Sequence, residues 1–305
     1  MAADGAGSRF YCFLLMSMDC IITHPGGAHK DDFLACSLMV AEHGVPVMRR
    51  EPSEAELNDP NVCVIDVGGR HEPEKNNFDH HQFPRDQQPT CALSLVLQDL
   101  GIYEDAQLFC DWLEPAEWFD CRGPQRTAEW LEVPREVIGK LSSPIDISML
   151  RRFARIRMDE QLQEGDPIYE LMRYIGSDLL EYLRSVRASL ERISEQVERW
   201  QVTSGDDRFD VLFLPRSQTV IEDASGSLAR YIMVNELHEE IVAIAYPDSR
   251  GEGFGLARFN DHPRMDFTRV EAADDVHFAH NSGFLCKTSA TDLERLRQII
   301  ALAWE

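Results

Sequence analysis

The chain has 305 residues, 44% of them hydrophobic, with 30 Lys and Arg against 53 Asp and Glu and a formal net charge of −23. That length and apolar content provide for two ordinary domains with real cores and exclude a disordered tail. The charge excludes bulk attraction to DNA or to an anionic membrane, so a phosphate-bearing substrate would need cations placed locally against the field. Residues 10–23 are apolar and end in Ile21-Ile22-Thr23, which reads as a buried strand. Residues 10–18 are taken as its lead rather than as a signal-peptide core, because Asp4 precedes them and no small-x-small cleavage site follows. The loop His24-Pro25-Gly26-Gly27-Ala28-His29 comes next. Asp31-Asp32 then opens a helix to about His43, with Phe33, Leu34, Leu38 and Met39 at helical spacing.

A short strand is expected over 45–48 and a second apolar strand over 61–67, stopped by Gly68-Gly69. Residues 70–90 read as polar loop and 91–100 as a helix ending at Gly101. This order predicts a parallel α/β sheet. Residues 105–119 read as one helix despite Pro115. The stretch 123–150, with Pro124, Pro134 and Pro144, reads as surface cover or linker. The longest helical pattern is 166–200, with apolar residues three and four apart from Ile168 to Val197, and it serves as a connector. After Gly205 the period becomes two, over 211–214, 241–246 and 253–259. That is a smaller α+β domain, closed by a helix from about Thr291. The expected division is 1–150, 151–204 and 205–305.

The eight Cys include no Cys-x-x-Cys pair, so a thiolate zinc site is not expected. Their apolar neighbours, as in Val62-Cys63-Val64, suggest buried free thiols in a reducing, cytoplasmic setting. No apolar run reaches the roughly 18 to 20 residues of a membrane helix.

Six of the ten His lie in the first 81 residues. His24 and His29 with Asp31, then Asp66 after the strand VCVID, then Asp79-His80-His81 form three clusters where strands are expected to end. In an open α/β sheet ligands collect at the carboxyl ends of strands, which would bring the clusters to one place. Imidazole nitrogen with carboxylate oxygen suits Mn²⁺, Fe²⁺, Zn²⁺ or Mg²⁺. An Asp can bridge two such ions, and paired ions serve phosphoester hydrolysis.

Thr23-His24-x-Gly26-x-x-His29-x-Asp31, then Asp66-Val67-Gly68-Gly69, then Pro73-Glu74-x4-Asp79-His80-His81-Gln82 resemble the MYG1 (UPF0160) family, a branch of the DHH phosphoesterase superfamily. The specific part is the run DVGG-x3-PE-x4-DHHQ. Weaker likeness continues at Thr90-Cys91-Ala92-Leu93, at Tyr246-Pro247-Asp248-Ser249 and over 278–284. The resemblance implies a DHH-type catalytic domain over 1–150 holding two divalent ions, with Mn²⁺ the expected metal. His24, His29 and Asp66 would hold one ion. Asp31, Asp66, His80 and Asp120 would hold the second, with Asp66 as bridge and Glu117 as the alternative to Asp120. Asp79 would orient a neighbouring His, His81 would face the substrate phosphate, and His280, Ser282 and Gly283 would receive the rest of the substrate in the cleft between the domains. The chain departs from the family's Gly-Gly-His-His at Leu285-Cys286-Lys287-Thr288, so substrate contacts there are expected to differ.

The implied activity is that of a two-metal phosphoesterase, a 3′–5′ exonuclease-like hydrolase of RNA or short oligonucleotides. The alternatives are a small-molecule phosphatase or pyrophosphatase and a metal-binding scaffold without turnover. The implied partners are the phosphoester substrate and, as an option, a second copy of the chain in a homodimer, with no membrane.

Overall fold

The computed structural model describes residues 18–140, 143–218, 221 and 223–305. The chain divides between Leu183 and Arg184 into two compact units. The first contains β1 (Cys20–Thr23), α1 (Lys30–His43), β2 (Val47–Arg49), β3 (Val62–Ile65), β4 (His71–Glu72), β5 (Asn77–Phe78), α2 (Ala92–Asp99), α3 (Tyr103–Phe109), α4 (Leu113–Trp130), α5 (Arg135–Lys140), α6 (Pro144–Phe153) and β6 (Gln161–Leu162). Helix α7 (Pro167–Gln196) runs across the division.

The first sheet has the order β4-β5-β3-β1-β2-β6. Its four inner strands are parallel and its two edge strands antiparallel. The fold is thus the expected mixed α/β type with a parallel centre. Ile21, Ile22, Cys63, Val64 and Ile65 are fully buried, and each such aliphatic side chain contributes about 1.5–3 kcal/mol on burial. Strand register sets where the loops begin. Thr23 pairs with Ile65, and Ile65 with Phe78. The residues immediately after these three, His24, Asp66 and Asp79, therefore leave the sheet together at the carboxyl ends of its parallel strands.

Helix α1 is buried from Phe33 to Val40 except at Leu34. It packs on α2, α4, α6 and β1 and ends at Gly44, whose φ of 67° is the left-handed cap glycine adopts without strain. Gly176 of α7 lies so close to α1 that a Cβ would stand 2.0 Å from the Ser37 carbonyl oxygen. Tyr169 and Tyr182 of α7 donate to the carbonyls of Val45 and Phe109.

Several elements differ from the sequence reading. The apolar lead before β1 lies outside the described residues as far as residue 17. The loop 70–90 contains β4 and β5, each only two residues long, too short for a period to register. The single helix expected over 105–119 is two, α3 and α4, parted at Cys110-Asp111-Trp112, and Pro115 falls in the first turn of α4 where a missing N–H costs nothing. The expected linker 123–150 is helical: Pro124 restarts α4 after Gly123, and Pro144 opens α6 beneath the Ser143 cap. The pattern read to residue 200 ends as helix at Gln196, and Trp200 belongs to a strand.

The second unit holds β7 (Glu198–Ser204), β8 (Asp207–Phe213), α8 (Ala224–Val234), β9 (Ile241–Pro247), β10 (Phe254–Arg258), β11 (Val276–Ala279), β12 (Leu285–Thr288) and α9 (Leu293–Leu302). The strands form a sheet ordered β11-β12-β10-β9-β8-β7, antiparallel except between β8 and β9. Alternate side chains of β8 face opposite layers. Val211 and Phe213 join Leu296, Ile299 and Ile300 of α9. Leu212 and Leu214 join Leu228 and Ile232 of α8. Sequence reading finds three of these strands and the last helix but not β7, α8, β11 or β12.

Candidate metal centre

The loop after β1 supplies His24 and His29, and the first turn of α1 supplies Asp31 and Asp32, where the helix dipole favours negative charge. Both carboxylates are buried, Asp31 at 1% exposure and Asp32 at 0%. Asp32 accepts from the His29 backbone N–H at 2.9 Å and from Arg49 at 3.3 Å, and its Oδ2 stands 3.1 Å from His24 Nε2. Arg49, wholly buried at the end of β2, also donates to the carbonyls of Gly26, Gly27 and Phe153 and stacks over the Phe153 ring at 4.4 Å. One guanidinium thus pins the histidine loop to the helix beyond it. Neither Asp31 oxygen has a hydrogen-bond partner among the described residues.

Asp66 leaves β3 with φ of 57°, a left-handed conformation that costs a non-glycine residue of order 1 kcal/mol and is kept where surrounding structure demands it. Gly68 comes two residues later with φ of 91°, against the Leu57 side chain. Asp79 accepts from the Gly69 N–H at 2.7 Å, from the His81 N–H at 2.9 Å and from His81 Nδ1 at 2.7 Å. The Asp-Val-Gly-Gly and Asp-His-His segments are tied together by this carboxylate, which also fixes the His81 ring.

The remaining groups converge on Asp66 and Asp120. His80 Nε2 lies 3.1 Å from Asp66 Oδ1 and 3.1 Å from Asp120 Oδ2. His24 Nε2 is 3.4 Å from Asp66 Oδ2, and His29 Nδ1 is 3.4 Å from Asp120 Oδ1. Four groups have donor atoms all within 4.8 Å of one another: His24, His29 and Asp66; His29, Asp31 and Asp120; Asp66, His80 and His81; and His80, Asp120 and Cys121. The six residues expected to ligate metal are therefore in one place.

Charge balance at this point is unusual. Burial works against a His80 cation, but the Asp120 and Asp66 carboxylates, each 3.1 Å from its Nε2, outweigh it and push its pKa up to about 12. Burial opposes ionisation of Asp120 as well, yet the imidazoles of His29 and His80 hold its carboxyl well below the usual range. Burial and the neighbouring carboxylates of Asp66, Asp120 and Asp32 push Asp31 well up, and burial raises Asp66. So many carboxylates in one dry spot need positive charge beyond what the side chains supply. His24 Nε2, His80 Nε2, Asp66 Oδ1 and both Asp31 oxygens are buried without an aligned hydrogen bond among the described residues. Nitrogen and oxygen donors crowded at 3.1–3.4 Å without that alignment fit a divalent ion better than they fit one another.

Asp32, Arg49 and Cys121 are the residues that sequence reasoning misses. Asp32 reads in the sequence only as a helix opener, and nothing in Val-Met-Arg-Arg marks which arginine enters the interior. Cys121 stands 3.7 Å from His80 Nδ1, and its adjacency to Asp120 is the one available signal. Glu117, the alternative to Asp120, points elsewhere: it is buried and accepts from Ser94 at 2.5 Å and Tyr103 at 2.7 Å.

His280, Ser282 and Gly283 belong to the second unit, in the turn between β11 and β12. His280 Nδ1 accepts from the Ser282 N–H at 3.1 Å. Gly283 has φ of 68° and leaves no room for a Cβ, which would meet Asp266 Oδ1 at 2.0 Å. The departure at 285–288 is strand β12, with Cys286 fully buried and Lys287 paired to Asp248 at 2.7 Å.

Residues 20–93 match the sequence model of a family described as MYG1_exonuc, an uncharacterised protein family, UPF0160. The MYG1 exonucleases of Rattus norvegicus, Bos taurus and Homo sapiens are each 38% identical to this chain over 72 residues, 22% of this chain and 18% of the relative. The match thus spans less than a fifth of those relatives' length. The family model's match falls on the segment that carries His24, His29, Asp31, Asp66 and the Asp-His-His run, the same segment in which the sequence resembles the family most. A solved structure described as a DHH domain protein, a member of the s1p family of ribosomal proteins, aligns over 89% of this chain and 83% of its own at 13% identity, with a TM-score of 0.29.

Proposed function

We propose that the chain is a divalent-metal-dependent phosphoesterase whose first unit hydrolyses phosphodiester bonds of RNA or short oligonucleotides in the manner of a 3′–5′ exonuclease. The observation that carries this reading is the convergence of Asp31, Asp66, Asp120, His24, His29 and His80, several of whose buried polar atoms have no hydrogen-bond partner among the described residues. In this assignment His24, His29 and Asp66 hold one ion, and Asp31, Asp66, His80 and Asp120 hold a second, with Asp66 shared. Mn²⁺ is the proposed ion, since an imidazole and carboxylate set suits it. Bound there, such ions supply Lewis acidity to a phosphoryl group and lower the pKa of water.

The protein's own groups do the rest. Asp79 holds His81 through Nδ1, leaving Nε2 of a side chain 64% exposed to meet a phosphate oxygen. An ionised Asp79 keeps the proton on Nδ1, so Nε2 accepts a proton or, once protonated, donates one to the leaving oxygen. The turn with His280, Ser282 and Gly283 is proposed to receive the remainder of the substrate, since the His280 imidazole, through Nε2, and the Ser282 hydroxyl can position an anion without binding a divalent ion.

A second reading, hydrolysis of a small phosphate ester or pyrophosphate at the same centre, is favoured by the net charge of −23, which disfavours a long polyanion. The purified chain with Mn²⁺, offered oligonucleotides, dinucleotides and pyrophosphate, separates the two. Release of mononucleotides from the 3′ end supports the first, and turnover of pyrophosphate alone selects the second. Absence of turnover on every phosphoester, with metal bound, would leave a scaffold and contradict both.

A further inference from the structure

The candidate metal centre opens, within the first unit, into a cleft of about 690 Å³ lined by its own His24, Asp66, His80 and Asp120. Its charged wall carries Glu51, Asp66, Asp79 and Asp120, and against these stand two guanidinium groups, Arg85 and Arg122. Neither forms an ion pair with a carboxylate among the described residues. The fold places both with some care. Arg122 is two residues beyond Asp120, at the end of the first straight stretch of α4. Gly123 then breaks the helix with φ of 72° and ψ of 171°, a conformation that glycine adopts without strain, and Pro124 starts the helix again. A cation at a helix C-terminus is also favoured by the dipole. Arg122 donates to the backbone carbonyl of Gln87, which fastens it to the loop after the Asp-His-His run, two residues from Arg85. The two arginines thus share one loop and one cleft with the proposed ligands.

We infer that Arg85 and Arg122 form an anion subsite for a second phosphate, adjoining the phosphate at the metal centre. The inference rests on the proposed phosphoesterase reading and deepens it, because it names the substrate class: a molecule with two neighbouring phosphate groups. Arginine suits the task, since its planar fork matches two phosphate oxygens at once and stays charged at all working pH. The four carboxylates on the same wall outnumber the two guanidinium groups, so an anion enters only when divalent ions offset them. The second phosphate can come from the 5′-phosphate of a short nucleotide or from pyrophosphate, chemistry that the two arginines share.

Calorimetric titration of the full chain loaded with Mn²⁺ tests the subsite, with metal content measured on each sample. The probes are inorganic phosphate, methylenediphosphonate as an uncleaved pyrophosphate mimic, and a 5′-phosphorylated dinucleotide with a phosphorothioate linkage. The Arg85→Ala/Arg122→Ala variant is expected to keep its Mn²⁺, to bind inorganic phosphate nearly as the parent does, and to bind at least one two-phosphate probe about tenfold more weakly, the loss of one to two charge-assisted hydrogen bonds. Whichever two-phosphate probe shows the loss identifies the source. Arg122→Lys, which keeps the charge but not the fork, should fall in between. If the double variant loses metal, Arg85→Ala alone decides by the same comparison. Equal binding of the two-phosphate probes by parent and variant, an equal loss for inorganic phosphate, or no binding of either probe by the parent would overturn the subsite. A parent chain that holds no Mn²⁺ would instead refute the metal reading beneath it.

Discussion

Arg49 and Asp32 form an ion pair at 0% exposure on both sides, and the histidine loop hangs from it. Breaking such a pair strands the other charge and costs about 3–5 kcal/mol. Arg49→Met should therefore lower the unfolding free energy by that amount in urea, and Arg49→Lys by less, with weaker metal binding in both; an unchanged denaturation midpoint in Arg49→Met would refute the anchoring role. His80 gives the pH behaviour. Its folded pKa, raised to about 12, means that the metal-free chain gains stability from the His80 cation, fully present below the unfolded value of about 6.5 and lost as pH rises toward 12. Metal requires the neutral ring. Mn²⁺ binding at neutral pH should then release about one proton or more per chain, and affinity should fall on acidification. Calorimetry in two buffers of different ionisation enthalpy counts those protons, and a count of zero would contradict His80 ligation. At this scale the sequence displays the proposed ligands, because Asp-Val-Gly-Gly and Asp-His-His are contiguous. It hides Arg49 and Asp32, because their partnership is made only when β2 lies beside the α1 loop.

Helix α7 meets α1 at Gly176, where an added methyl would stand 2.0 Å from the Ser37 carbonyl oxygen and 2.9 Å from the Ala41 Cβ. A backbone carbonyl within a buried helix cannot step aside, so Gly176→Ala should cost about 1–3 kcal/mol or more through overpacking. Gly139 in α5 has nothing within 4 Å of the place a Cβ would occupy. Gly139→Ala should be neutral or stabilising by up to about 1 kcal/mol through helix propensity. Equal effects of the two substitutions on thermal unfolding would remove close packing as the reason for the glycine. Long periodic helices such as α1 and α7 are legible because one rule covers many residues. Strands β4 and β5 are not, since two residues hold no period; they exist because the edge of β3 pairs with β5. The break between α3 and α4 is masked by continuous helix-forming composition, and Pro124 and Pro144 read as linker where they in fact restart α4 and open α6.

Over the whole molecule, two arrangements of charge compete: a net −23 that repels polyanions and a compact cluster of His and Asp groups that could hold divalent cations. If the centre dominates and the field limits substrate size, turnover with Mn²⁺ should not rise from a dinucleotide to a pentanucleotide to a long strand, and a steep rise with length would contradict the role assigned to charge. Among the described residues no helix is long and apolar enough to cross a membrane. The second unit is legible from the change of period after the long helix, but its six-stranded sheet is not, because β11 and β12 are four residues each and carry His277 and Lys287 among their apolar positions. The most direct test of the central claim is a metal count. Elemental analysis of the purified chain after equilibration with Mn²⁺ should give two equivalents, and Asp66→Ala should give close to none, since the shared carboxylate serves both ions. A parent chain without bound metal, or an Asp66→Ala variant that keeps both equivalents, would contradict the account.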